Sequence, residues 1–164
     1  MNNIRQAKPT DAAHLLEIYS PVVESTSVSF ELVPPTADEF ALRIASSIES
    51  HDWLVMEDAG RMAGYAYATP HRAREAYQYS VETSVYIHPD HREKGVGKKL
   101  YEALFVSLQS RGFHNAYAGI TLPNEASIAL HKSFGFESIG VFREIGFKHG
   151  GWHNVSWWQR KINN

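Results

Sequence analysis

The chain has no cysteine. That absence excludes a disulfide scaffold, thiolate metal sites and cysteine nucleophiles, and it fits a reducing compartment. A surplus of charge of either sign is also missing, since 16 lysines and arginines stand against 18 acids for a formal charge of -2. No global basic field therefore exists to hold nucleic acid or an anionic membrane, and any anion selectivity must be local. Apolar runs approaching about 18 residues are absent, and the start Met1-Asn2-Asn3-Ile4-Arg5 carries no apolar signal core. The expectation is a soluble, cytoplasmic protein with neither a membrane nor a nucleic-acid partner. Asn154-Val155-Ser156 matches a glycosylation sequon but lacks the secretory signal that would give it meaning. No repeat, low-complexity tract or linker interrupts the 164 residues, of which 43% are hydrophobic. One domain over 1–164 with a real core is predicted.

What is present reads as alternating strands and helices. Ile4 to Ala7 is a short strand, and Thr10 or Asp11 caps a helix carrying Ala12, Leu15, Leu16, Ile18 and Tyr19 that stops by Pro21 or shortly after. Glu24 to Val33 reads as a loop before Pro34 and Pro35. Thr36 starts a second helix with Phe40, Leu42, Ile44 and Ile48 as its apolar positions. Trp53 to Met56 and Met62 to Ala68 flank a turn-like Glu57-Asp58-Ala59-Gly60-Arg61 and should pair as an antiparallel hairpin. Pro70 to Gln78 is a polar excursion before a strand from Tyr79 to Ile87. After a glycine loop, Leu100, Ala103, Leu104, Val106 and Leu108 form an amphipathic helix ending at Gly112. Ala116 to Ile120 is a strand, Asn124 to Phe134 a helix closed by Gly135, and Phe136 to Phe147 with Trp152 to Arg160 make two final strands. The pattern predicts a mixed α+β fold, one sheet with helices on its faces.

The most informative stretch runs from Ser84 through Ile87, Pro89 and Gly95-Val96-Gly97 to Leu100: a strand, a stop, a glycine loop and a helix start. Glycines at a helix mouth let backbone approach a ligand, and the unpaired first-turn amides with the positive dipole end favour an anion. Two phosphate motifs fail. A P-loop would need glycine where Arg92 stands and Ser or Thr where Lys99 stands, and the dinucleotide fingerprint would need glycine at Leu100.

Arg92-Glu93-Lys94-Gly95-Val96-Gly97 does match the [RQ]-x-x-G-x-[GA] signature of the GNAT N-acetyltransferases. That resemblance implies a central, mostly antiparallel twisted sheet of six to seven strands flanked by about four helices. It also implies that acetyl-CoA is the co-substrate. Its pantetheine arm would pair with Val85, Tyr86 and Ile87, and its pyrophosphate would lie on Glu93, Lys94, Gly95, Val96, Gly97 and Lys98 beside Arg92. Asn124 through Phe136 resembles the family's N-x6-Y-x3-G-F segment, with His131 in place of the usual tyrosine. Asn124 and His131 are seven apart, about two turns, so both can face one cleft; the other reading makes Asn124 a helix cap and His131 a surface residue. Phe30, the Ala73–Tyr77 loop, Glu82–Tyr86, Leu122–Asn124 and Gly146–Val155 with Trp158-Gln159 resemble the phosphinothricin acetyltransferases. This wider match implies acetylation of the α-amino group of phosphinothricin or of methionine sulfone and methionine sulfoximine, and it implies a homodimer. The aromatics Trp152, Trp157 and Trp158, read as exposed, permit one.

An ammonium acceptor must lose a proton before it attacks a thioester, so a base is needed. The resemblance assigns that role to Glu82, acting directly or through water, with a carboxyl whose ordinary pKa near about 4.3 must be raised. A departing thiolate benefits from a proton donor, for which His131 or Tyr101 is available. Arg72 and Arg74 offer planar donors for the acceptor's carboxylate or phosphinate, with Phe30 and Tyr77 as pocket walls. His149 and His153 have metal-like spacing but no partnering ligand, so no metal is expected. Two other readings stand beside this one: acetylation of a different amine, such as a protein N-terminus or polyamine, and a non-catalytic acyl-CoA sensor.

Overall fold

A computed structural model describes residues 2–164. The strands are β1 (Asn2–Gln6), β2 (Asp52–Asp58), β3 (Arg61–Pro70), β4 (Ser80–Ile87), β5 (Asn115–Thr121), β6 (Glu137–Lys148) and β7 (Gly151–Lys161). The α-helices are α1 (Ala12–Ser25), α2 (Ala37–Ser50), α3 (Val96–Ser110) and α4 (Glu125–Ser133). The strands form one sheet in the order β1-β2-β3-β4-β5-β7-β6. Every neighbouring pair is antiparallel except β4 with β5. The expected mixed fold, with a mostly antiparallel sheet of seven strands and four helices, is the one found.

Alternation along β2 explains the layering. Leu54 and Met56 point into a cluster built on Leu100, Tyr101, Leu104 and Leu108 of α3, whereas Trp53 and Val55 point into a second cluster with Leu15, Ile18 and Val23 of α1 and Phe40 and Ile44 of α2. The strand is thus buried on both faces, which is why Trp53–Met56 reads as a continuous apolar run. Each such side chain, removed from water, contributes about 1.5–3 kcal/mol. Thr36 caps α2 with a reciprocal pair: its hydroxyl accepts from the Glu39 amide at 3.2 Å and its own amide donates to the Glu39 carboxylate at 2.8 Å.

Several expectations need correction. Helix α1 does not stop at Pro21 but continues to Ser25; Pro21 and Glu17 lie on its exposed side, so water can take the carbonyl that the missing N–H leaves free. Leu42 and Val106 are exposed rather than on the packed faces of their helices. Trp158, expected at the surface, is buried in the α3 cluster. The β6–β7 pairing slips twice, between Ser138 and Gly140 and between Phe142 and Gly146, so β6 carries extra residues there and bends.

Candidate active site

The site lies where the one parallel pair comes apart. Strands β4 and β5 are in register at Ser80 with Asn115, Val81 with Ala116 and Glu82 with Tyr117, and the pairing ends there. Strand β4 stays bonded to β3 as far as Ile87 opposite Gly64, so the β5-side edge of Thr83 to Ile87 is open. An open strand edge presents amides and carbonyls that an extended, amide-bearing molecule can pair with.

Two faces of the sheet meet at this opening. Glu82, Ser84 and Tyr86 alternate to the α1–α2 side, where Tyr86 packs against Tyr19 and Tyr65. Thr83, Val85 and Ile87 face α3, where Thr83 meets the Tyr101 hydroxyl at 3.3 Å. A cavity of about 450 Å³ on the Glu82 side is walled by Phe30, Tyr67, Phe142, Ile145 and Trp157. It shares Thr83, Ser84, Tyr86, Gly119 and Thr121 with a narrow extension of about 60 Å³ that is lined by Tyr101, Asn124, Ser127 and His131. The bend in β6 is what turns Phe142 and Ile145 into this wall.

Burial pushes the Glu82 carboxyl above its ordinary value, against the opposing pull of a hydrogen bond from His71 at 3.0 Å and the charge of Arg72. On the other side, His131 is not a surface residue but almost fully buried. Its Nδ1 is 2.6 Å from the Ser127 carbonyl oxygen, which can only accept, so Nδ1 carries hydrogen. Its Nε2 lies 3.0 Å from the Tyr101 hydroxyl and accepts from it while the ring is neutral. Burial favours that neutral ring, lowering the His131 pKa, and also raises that of Tyr101.

The loop before α3 has a shape suited to an anion. Glu93 and Gly95 take left-handed backbone with φ of 60° and 75°, and the first helical bond runs from Lys99 N to Gly95 O. The amides of Val96, Gly97 and Lys98 precede any intrahelical partner and point out of the helix start. Gly97 also has a packing reason: a Cβ there would lie 3.2 Å from Leu130 of α4. With the open edge of β4, this turn fits a long ligand carrying amides at one end and a pyrophosphate at the other.

Of the residues singled out from sequence, Glu82, Tyr101, His131, Asn124, Val85, Tyr86 and Phe30 line the joined cavities. Asn124 also caps α4, its side chain accepting from the Ser127 amide, so the capping and cleft readings are both met. Arg72, Arg74 and Tyr77 lie on the exposed excursion between β3 and β4, outside the cavity lining; the Arg72 guanidinium sits 5.8 Å from the Tyr77 ring centre. His153 donates toward the Lys148 carbonyl at 2.9 Å and meets the Ser27 hydroxyl, a loop-fastening role. The sequence reading missed His71, Thr83 and Ser127, and it missed Lys148, whose buried ammonium binds the carbonyls of Val23 and Ser29 and holds the Phe30 loop. Pairing of β3 with β4 was the available signal for His71, since Thr69 opposite Glu82 places it beside that carboxylate.

Comparison with known proteins agrees with this geometry. The family described as "Acetyltransferase (GNAT) domain" matches residues 4–157. The chain is 40% identical over 157 residues to a phosphinothricin N-acetyltransferase of Streptomyces viridochromogenes, covering 96% of this chain and 86% of that protein. It is 34% identical to an L-methionine sulfoximine/L-methionine sulfone acetyltransferase of Salmonella typhimurium, over 98% and 94% of the two chains. A GNAT superfamily phosphinothricin acetyltransferase from Sinorhizobium meliloti, solved in complex with acetyl-CoA, superposes with a TM-score of 0.93 at 36% identity, over 98% of this chain and 88% of that one. The open edge of β4, the anion-accepting start of α3 and these matches lead to one assignment: the chain belongs to the GNAT family and is an N-acetyltransferase.

Proposed function

We propose that residues 1–164 act as one acetyltransferase domain that uses acetyl-CoA to acetylate the α-amino group of phosphinothricin or of close analogues such as methionine sulfone and methionine sulfoximine. The observation that carries this reading is the opening between β4 and β5, which places a carboxylate with a raised pKa on one side and the Tyr101–His131 pair on the other. Acetyl-CoA supplies the acetyl thioester and leaves as the thiol. Val85, Tyr86 and Ile87 offer it their free edge, Arg92 and the turn from Glu93 to Lys98 hold its pyrophosphate, and Asn124 lines its path. Glu82 removes a proton from the acceptor ammonium, directly or through water, a task for which its raised value suits it.

His131 and Tyr101 act in series. While His131 is neutral, its Nε2 takes the Tyr101 hydrogen. Once Nε2 has taken up a proton from solvent it donates to the Tyr101 oxygen instead, and the Tyr101 hydrogen passes to the departing sulfur as the bond from sulfur to the acetyl carbon breaks, which returns His131 to its neutral form. The proton thus passes from imidazolium to thiolate through the hydroxyl, and no tyrosinate accumulates. Phe30 walls the acceptor cavity; Arg72 and Arg74, on the exposed excursion ahead of β4, are the donors proposed for the acceptor's carboxylate or phosphinate, and Tyr77 beside Arg72 is the second wall proposed for the bound acceptor.

The apolar residues exposed on β6, together with Trp152, support a homodimer. No helix among the described residues is long and apolar enough to cross a membrane; the setting proposed is the cytoplasm, with resistance to the herbicide phosphinothricin as a consequence of its acetylation. A panel of amines including phosphinothricin, methionine sulfone, a polyamine and an N-terminal peptide, scored for free-thiol release, tests the proposal. Release with the two amino-acid analogues is expected. Release with the peptide or polyamine alone, or with none of them, would overturn it. Glu82→Gln should lower kcat at neutral pH about 100-fold or more while leaving acetyl-CoA binding by calorimetry unchanged.

A further inference from the structure

His71 lies outside the motifs that define the cofactor site, yet its ring is held firmly against the proposed base. Its Nδ1 is 3.0 Å from Glu82 Oε1. The ring stacks on Tyr117 at 4.8 Å and 22°, and meets the edges of Tyr77 at 5.8 Å and Trp157 at 6.3 Å. Its backbone amide donates to the Ser80 carbonyl, which fixes the main chain as well. A carboxylate can only accept, so Nδ1 carries the hydrogen in this contact.

We propose that His71 is a positioning residue for Glu82: its Nδ1–H holds the carboxylate by one oxygen, presents the other to the acceptor amine, and keeps the group ionised at working pH. This deepens the acetyltransferase reading and rests on it. A hydrogen bond to the charged form of an acid favours that form, whereas burial opposes it. Around the pair, among the described residues, Arg72 supplies a nearby cation, Tyr67 shares the cavity face as a neutral phenol, and Tyr77, Tyr117 and Trp157 are uncharged. Among the described residues no second side chain hydrogen-bonds to Glu82. Removing the His71 donor therefore leaves burial to dominate, and the base titrates at higher pH.

Two substitutions separate the donor from the stack. His71→Phe keeps a ring against Tyr117 but has no N–H; His71→Asn loses the ring but retains an N–H near the Nδ1 position. The measurement is kcat/KM for methionine sulfone against pH, with acetyl-CoA affinity and Tm recorded for each protein. His71→Phe is expected to move the acid limb about one pH unit upward, with about tenfold lower activity near pH 6 and near-normal activity on the alkaline plateau. His71→Asn is expected to keep the limb close to wild type. A uniform loss at all pH values in His71→Phe, or an upward-moved limb in His71→Asn, would refute the proposal. An acid limb that persists in Glu82→Gln would remove the base reading itself and His71's role with it, whereas a limb absent from Glu82→Gln but unmoved in His71→Phe removes only the role of His71.

Discussion

Glu82 is held in a place that suits its chemistry better than it suits the fold. Burial raises its pKa, so over a window above the ordinary carboxylate value the folded chain retains a proton that the unfolded chain has released. Stability is then lost as pH rises from the unfolded value through the folded one. Glu82→Gln removes the titration and can still accept from His71. It should therefore raise Tm at pH 7 relative to wild type, with the gap closing at about pH 3, where both side chains are neutral in both states. Differential scanning calorimetry at the two pH values checks this; an equal Tm difference at both would show that the carboxylate carries no such strain. Glu82 was legible through the resemblance, which matches it to a glutamate just ahead of the pantetheine-pairing residues of β4. Its partner was not read, since a lone histidine in a polar excursion has no signal of its own and only the β3–β4 register, Thr69 opposite Glu82, places it beside the carboxylate. Nor could spacing show that Tyr101 and His131, thirty residues apart, share a hydrogen bond; that depends on how α3 and α4 pack.

At the scale of elements, the site follows from one strand leaving its neighbour and one helix starting beside it. Strand β4 was legible from its alternation, α3 from its periodicity, and α2 from its Thr36–Glu39 capping box. The divergence of β4 from β5 was not, because pairing across the sheet is set by tertiary register and no local pattern encodes it. Helix α1, read as ending by Pro21 or shortly after, runs on to Ser25 for a related reason: a proline on the exposed side gives up a bond that water can replace, and residue type does not reveal the side. Gly97 joins both levels, since it opens the anion-binding turn and lets Leu130 of α4 close on α3. Gly97→Val puts branched carbon where 3.2 Å is available, so α3 or α4 must shift. A loss of about 1–3 kcal/mol in urea unfolding and at least tenfold weaker acetyl-CoA binding are expected. Unchanged cofactor affinity at reduced stability would assign Gly97 to packing alone.

The molecule as a whole ends its sheet on an edge that water should not cover. Strand β6 is twelve residues long, pairs on one side only, and exposes Ile139, Val141, Phe142, Ile145 and Phe147. Long apolar edges of this kind recruit other strands unless a partner covers them. A second copy of the chain is the proposed cover, and the exposed Trp152 beside Phe147 enlarges the apolar area it would bury. Of the three tryptophans read as exposed, Trp152 is exposed, Trp157 is half-buried in the acceptor cavity wall and Trp158 is in the core, and most of the exposed apolar surface belongs to β6. Phe142 and Ile145 also wall the acceptor cavity, so the dimer surface and the substrate site are neighbours on β6. Ile139 and Val141 stand outside that wall and make the cleaner probes. By sedimentation velocity the wild-type protein should run at twice the 18.5 kDa chain mass, and the Ile139→Glu, Val141→Glu double variant should run as a single chain. Acetyl-CoA binding should survive in that variant, because β4 and α3 are not on this edge. Acceptor KM should rise, because Phe142 and Ile145 would lose the support of the partner. A wild-type protein that stays monomeric at micromolar concentration would refute the dimer, and a monomeric variant with unaltered KM would show that the two surfaces are neighbours without being coupled.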